Sequence, residues 1–210
     1  MARYPLYVSV DLEYTDGNFV DGTILQVGLA LRTPDGQVHT FSELAHIKPT
    51  DWERANPWVR ANLGELGGRC LLGGSSLMDL GGSVCTWLRN WQTVTRALVA
   101  HDPDTGALTP EVPIVFVGWC GAADWAYLSR AIYAHDSEHM DKANPFHYDT
   151  IEIGSLAMGA LGLPWGFTSK ELAARLGIDP PDPAQQHDAL YDARWQLQAF
   201  EGLMTARATP

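Results

Sequence analysis

Near the N-terminus, apolar positions come in short dense runs separated by turn-forming residues. Leu6 to Glu13 (LYVSVDLE) and Thr23 to Leu31 (TILQVGLAL) each have the length and side-chain types of a strand. Asp16-Gly17-Asn18 separates them, and Thr33-Pro34-Asp35-Gly36 leads into a third run around Val38 to Leu44. The pattern predicts a three-stranded antiparallel meander. Further along, Ile114 to Trp119 (IVFVGW) is an unbroken apolar run of the kind that a strand buried on both faces requires.

The remaining apolar positions follow a helical period. Trp52 to Asn62 predicts a short helix carrying Trp52 and Trp58. Ser83 is a candidate cap for a helix with Val84, Trp87, Leu88, Trp91 and Leu98 along one stripe. Ala122 to Ala134 predicts another helix, and Thr168 to Leu176 opens with a Thr168/Glu171 capping box and stops at Gly177. The last helix starts near Asp188, with Leu190, Ala193, Leu197, Phe200 and Met204 as its apolar stripe. Between these segments, residues 62–82 hold seven glycines and six leucines without a clean period, which predicts an irregular surface loop or a flexible flap. His101 to Val112 reads as a Pro/Asp/Gly connection. A meander followed by strands alternating with helices predicts an α/β protein: one mixed sheet flanked by helices. At 210 residues with no dividing linker, residues 1–210 form one domain.

Composition narrows the class. The chain is 46% hydrophobic and 19% charged, which is globular, and no apolar segment approaches the length of a membrane span. No N-terminal stretch reads as a leader. Cys70, Cys85 and Cys120 are scattered and form no CxxC pair, which fits a reducing cytoplasm and argues against a disulfide framework or a thiolate zinc site. Fourteen basic residues against 25 acidic give a net charge of −11, awkward for gripping a long duplex but tolerable for holding one short strand end through metal ions. Solubility alone would account for the same charge.

Four acidic residues and one histidine stand where backbone elements can aim them inward. Asp11 and Glu13 are two apart at the end of the first strand, so they share a face. Asp124 falls in the first turn of the helix after Ile114 to Trp119. Asp192 lies one turn into the last helix, and His187 just before that helix. Each has an ordinary alternative: a solvated strand end, a helix-dipole acid, a capping histidine. Converging carboxylates repel one another in a low-dielectric cleft, so together they make sense around bound cations.

The segments VSVDLE, VGWCGAADWAYL and HDALYDA resemble the three exonuclease motifs of the DEDDh 3′–5′ exonucleases, a family that includes bacterial proofreading subunits, ribonuclease T and oligoribonuclease. The likeness spans most of the chain, including the TSKELAARLGI helix, and the H-x4-D spacing of His187 and Asp192 is its most specific part. Asp188, four residues before Asp192, stands where the tyrosine subgroup would carry a tyrosine. The chain departs from the family at Tyr14, where threonine is common, and at Trp119-Cys120, where a His-Asn pair is usual; in the second motif it is more similar to small actinobacterial and phage exoribonucleases. The resemblance implies a ribonuclease H-like fold and two divalent metal ions, Mg²⁺ or Mn²⁺. Asp11 would bridge the two ions, Glu13 and Asp192 would hold one, and Asp124 would serve the other. His187 would be the general base, an ordinary task for an imidazole. It implies release of nucleoside 5′-monophosphates from 3′ ends of RNA or short single strands, RNA favoured over DNA, and leaves a homodimer open. Tyr14 and Trp119 adjoin the motifs and are candidate stacking walls for a terminal base.

Other signals carry less. His135 to His139 (HDSEH) matches an H-x-x-E-H zinc-hydrolase pattern but runs into a polar stretch instead of an amphipathic helix. Asp149 is expected to cap a helix. The glycine pairs at 67–68, 73–74 and 81–82 lack the lysine of a phosphate loop. The rival to an enzyme is a non-catalytic nucleic-acid-binding relative of the same fold, against which the five intact residues argue.

Overall fold

The computed structural model describes residues 3–18, 20–100, 111–119, 121–136 and 144–207. Within them, strands β1 (Leu6–Tyr14), β2 (Ile24–Arg32), β3 (Val38–Leu44), β4 (Ile114–Gly118) and β5 (Phe146–Glu152) form one sheet in the order β3-β2-β1-β4-β5. The first three strands are the antiparallel meander that the N-terminal pattern predicts; β4 and β5 run parallel to β1 and to each other. This is the mixed α/β sheet of the ribonuclease H-like fold. Central position explains composition: β2 and β4 are buried along almost their whole length, so neither alternates between apolar and polar side chains.

Among the described residues the helices are α1 (Pro49–Glu53), α2 (Pro57–Asn62), α3 (Gly64–Leu72), α4 (Leu77–Ala100), α5 (Gly121–His135), α6 (Ile153–Leu161), α7 (Ser169–Leu176) and α8 (Ala189–Arg207). Leu6, Val8, Val10 and Leu12 of β1 bury one sheet face against α4 and α5. On the other face, α8 packs over β1 and β2 and is joined by α6 and α7 around Trp195, Phe200 and Leu203. Helices α1 to α3 close a third, smaller cluster around Leu25 and Ile47.

Several sequence expectations need correction. Residues 62–82 are mostly helical. Their glycines serve close approach: a Cβ at Gly67 would lie 2.4 Å from the Trp52 ring, and one at Gly81 2.1 Å from the Ala131 carbonyl oxygen. Ser83 caps nothing, because α4 starts six residues earlier at Leu77, where Ser76 accepts the Asp79 N–H. The single helix expected over 52–62 is two, broken before Pro57. Asp149 is exposed on β5, an unexpected strand, and the cap of α6 is Glu152, which accepts from the Gly154 and Ser155 N–H groups. The Thr168/Glu171 capping box and the Gly177 stop form as expected. Residues 101–110 of the Pro/Asp/Gly connection lie outside the described residues, as do residues 137–139 of HDSEH; His135 is the last residue of α5.

Candidate active site

The site forms where β1 outruns its parallel neighbour. Pairing between β1 and β4 ends at Ser9–Val117, while β1 continues to Tyr14. Odd-numbered residues of β1 face α8, as Tyr7 does against Phe200 (ring centroids 4.9 Å apart), so Asp11 and Glu13 emerge together on that face beyond the end of β4. The turn after β4 starts α5, whose first turn carries Asp124, 2% exposed.

The N-terminus of α8 closes the site from above. Gly28 pairs with Asp11 across the β1–β2 ladder, and a Cβ there would lie 2.0 Å from the Ala189 carbonyl oxygen. Glycine therefore lets the helix settle onto the sheet and brings Asp192 over the strand. The preceding connection is stitched to the same helix. Asp182 N–H donates to the Tyr191 hydroxyl (2.6 Å), Trp195 Nε1 donates to the Asp179 carbonyl (2.9 Å), and the Asp188 side chain accepts the Tyr191 N–H (2.9 Å). His187 ends that connection in the left-handed region, φ +67°, with its N–H on Asp192 Oδ2 at 2.9 Å and its ring Nδ1 3.7 Å from Glu13 Oε1. Its side chain is 47% exposed. Ligand atoms of Glu13, His187 and Asp192 lie within 4.8 Å of one another.

All five residues singled out in the sequence line one cleft of about 630 Å³. Its electrostatics are lopsided, because no lysine or arginine is among the described residues that line it. Burial pushes the Asp11 carboxyl up to about 7, with repulsion from Asp192 and Asp188 added and a hydrogen bond from Gln196 opposing it. Burial pushes Glu13 up to about 8, followed by the charges of Asp11 and Asp192. Asp124 is held well above the usual carboxylate range by burial, then by Asp11 and Glu13. Asp192 is raised by burial, partly offset by the His187 N–H. Buried acids that disfavour their own ionisation, with oxygen donors and no cationic side chain to offset them, fit hard divalent cations such as Mg²⁺ or Mn²⁺.

Tyr14 and Trp119 both line the cleft, each with its ring already engaged. Tyr14 stacks on Tyr127 at 4.6 Å; Trp119 packs against Phe167 and Trp195 at 5.5 and 6.0 Å. Two lining residues escape a sequence reading. Trp58, half exposed, meets the His187 ring edge-on at 5.0 Å, and its helix is tied to the end of β1 by the Asn56 N–H on the Thr15 carbonyl. Gln196, 4% exposed, donates from Nε2 to Asp11 Oδ1 at 2.6 Å and accepts the Trp119 N–H at 3.0 Å. Its signal was a polar residue one turn after Asp192 on the buried side of the last helix.

The same architecture occurs in known nucleases. The chain superposes on the nuclease domain of 3′hExo, a DEDDh family member bound to rAMP, with a TM-score of 0.67 and 15% identity over 96% of this chain and 92% of that one. Escherichia coli exonuclease I in complex with a dT13 oligonucleotide gives a TM-score of 0.65 and 13% identity, covering 97% of this chain and 42% of that one. A 3′-5′ DNA exonuclease of Escherichia coli, Cap18, is 29% identical over 87 residues, 41% of this chain and 43% of that protein. No family model matches the chain. The fold is that of the DEDDh exonucleases.

Proposed function

We propose that this protein is a metal-dependent 3′–5′ exonuclease acting on unpaired 3′ ends. One observation carries the proposal: carboxylates from β1, α5 and α8 meet a histidine in one cleft. Asp11, Glu13, Asp124 and Asp192 would hold the cations through their carboxylate oxygens. Divalent ions held there would supply Lewis-acid charge to an in-line displacement at phosphorus. His187, half exposed at the rim and oriented by its N–H on Asp192, takes the proton of the attacking water. The new P–O bond forms as the bond to the penultimate 3′-oxygen breaks, leaving a nucleoside 5′-monophosphate and a shortened strand with a free 3′-hydroxyl. Trp58, Tyr14 and Trp119 offer ring surface to the terminal base, in place of the phosphate grip that basic side chains would give.

The sequence resemblance favours RNA, whereas the Escherichia coli relative is named for DNA, so matched labelled RNA and DNA strands decide the sugar. With Mg²⁺ or Mn²⁺, an unpaired 3′ end should yield mononucleotides, and a 3′-blocked strand should resist. Internal fragments, or equal cleavage without divalent metal, would overturn the proposal. Among the described residues no helix is long and apolar enough to cross a membrane. The scattered cysteines form no CxxC pair, and on that spacing we propose a reducing cytoplasm.

A further inference from the structure

We infer that Gln196 is a positioning residue for Asp11, fixing one carboxylate oxygen so that the other is presented to a divalent cation; the inference rests on the exonuclease reading above. Its geometry leaves one arrangement. The Trp119 backbone N–H can only donate, so the amide oxygen must face it, at 3.0 Å. The amide nitrogen must then face Asp11, 2.6 Å from Oδ1. A flipped amide would set donor against donor at Trp119 and oxygen against carboxylate at Asp11. One side chain of α8 thereby joins the end of β1 to the turn after β4, the two segments between which the carboxylates converge.

Packing alone does not call for an amide here. The position is 4% exposed and its helical neighbours Ala193, Ala199 and Phe200 are apolar. A methionine would fill nearly the same volume without the cost of burying an amide. What methionine lacks is the pair of directional bonds. Asp11 is the carboxylate that the amide reaches, on the face of β1 that α8 covers. Groups that orient a metal-binding carboxylate typically carry 10–100-fold in metal affinity or activity.

The test titrates Mn²⁺ calorimetrically into metal-free wild type, Gln196→Met and the exposed control Gln198→Met, and measures hydrolysis of a single-stranded oligonucleotide. Gln196→Met should fold, bind Mn²⁺ about 10–100-fold more weakly, and regain most of its lost activity as Mn²⁺ is raised, with KM for the oligonucleotide unchanged at saturating metal. Gln198→Met should match wild type. A folded Gln196→Met chain with wild-type Mn²⁺ affinity overturns the positioning role while leaving the exonuclease reading intact. A wild-type chain that takes up no Mn²⁺ or Mg²⁺ overturns both. If Gln196→Met melts below the assay temperature, Gln196→Asn, which keeps an amide one methylene too short to span both partners, gives the same reading.

Discussion

The two halves of the cleft are built on opposite principles. Asp11 and Glu13 sit on a central strand whose register is set by β2 and β4; Glu13 is buried and Asp11 half-buried. His187 and Asp192 belong to a connection and a helix start; His187 is half exposed and held in a left-handed conformation by one bond to Asp192. The strand half concentrates charge where it is least comfortable, and sheet pairing holds it there. The connection half gives up burial and gains an imidazole that can meet water at the rim. The proposed metal-dependent hydrolysis would use both: fixed ligands inside and a proton acceptor with access to solvent.

Removing the strand half should have the largest effect. Asp11→Asn keeps size and shape but removes the central charge, and turnover should fall on the order of 10⁴-fold or more. Without metal the variant should melt no lower than wild type, since mutual repulsion is relieved. Near-normal hydrolysis by a folded Asp11→Asn protein would sink the assignment of this cleft. On the connection half, His187→Asn is a cleaner change than alanine, because asparagine tolerates the positive φ at this position. It should lower kcat by roughly 10²–10⁴-fold with Mn²⁺ binding retained in calorimetry. Loss of Mn²⁺ binding would instead make His187 a ligand, which its proximity to Glu13 and Asp192 allows.

Gly28→Ala tests the joint between the halves without replacing a carboxylate or the histidine. The added methyl meets the Ala189 carbonyl oxygen, so the start of α8 must lift from the sheet. Overpacking of this kind costs about 1–3 kcal/mol, and a shift near 1 Å between reacting groups costs about 10²-fold in rate. A lower melting temperature together with a rate loss near that size is expected; unchanged kinetics would show that the helix tolerates a looser seat.

The same contrast governs how much the sequence revealed. The meander was legible because buried strands and tight turns leave strong local marks, and the convergence of five candidate residues in one cleft because three segments resemble exonuclease motifs. What escaped depends on contacts between distant segments. Glycines 67 and 81 look like loop residues until Trp52 and Ala131 come to lie against them. Phe146 to Glu152 has too few apolar positions to read as a strand; as an edge strand it pairs on one side with β4. Gln196 looks like an ordinary polar residue on a helix until α8 crosses β1. Trp58 was visible as a helix residue, but its place beside His187 depends on Asn56 anchoring to Thr15.

The smallest expected effect is the response of the metal-free chain to pH, and it tests the strand half through stability alone. In the folded chain Asp11 takes up its proton at about 7 and Glu13 at about 8, whereas unfolded carboxyls do so near pH 4. Between those limits the folded state binds more protons than the unfolded one, so its stability falls as pH rises. The contribution is complete below about pH 4 and is lost as pH passes through about 7 to 8. Metal-free protein should therefore melt several degrees lower at pH 8 than at pH 5.5, opposite to the trend of a protein held by ionised acid pairs. Saturating Mg²⁺ or Mn²⁺ binds the ionised form, so it should raise the melting temperature most at pH 8 and flatten the profile. Asp11→Asn should make it shallower without metal, leaving the part due to the burial of Glu13. If metal-free wild type is equally stable at both pH values, these carboxylates are not strained in the way their burial and mutual repulsion require, and the strand half loses its distinction from the connection half.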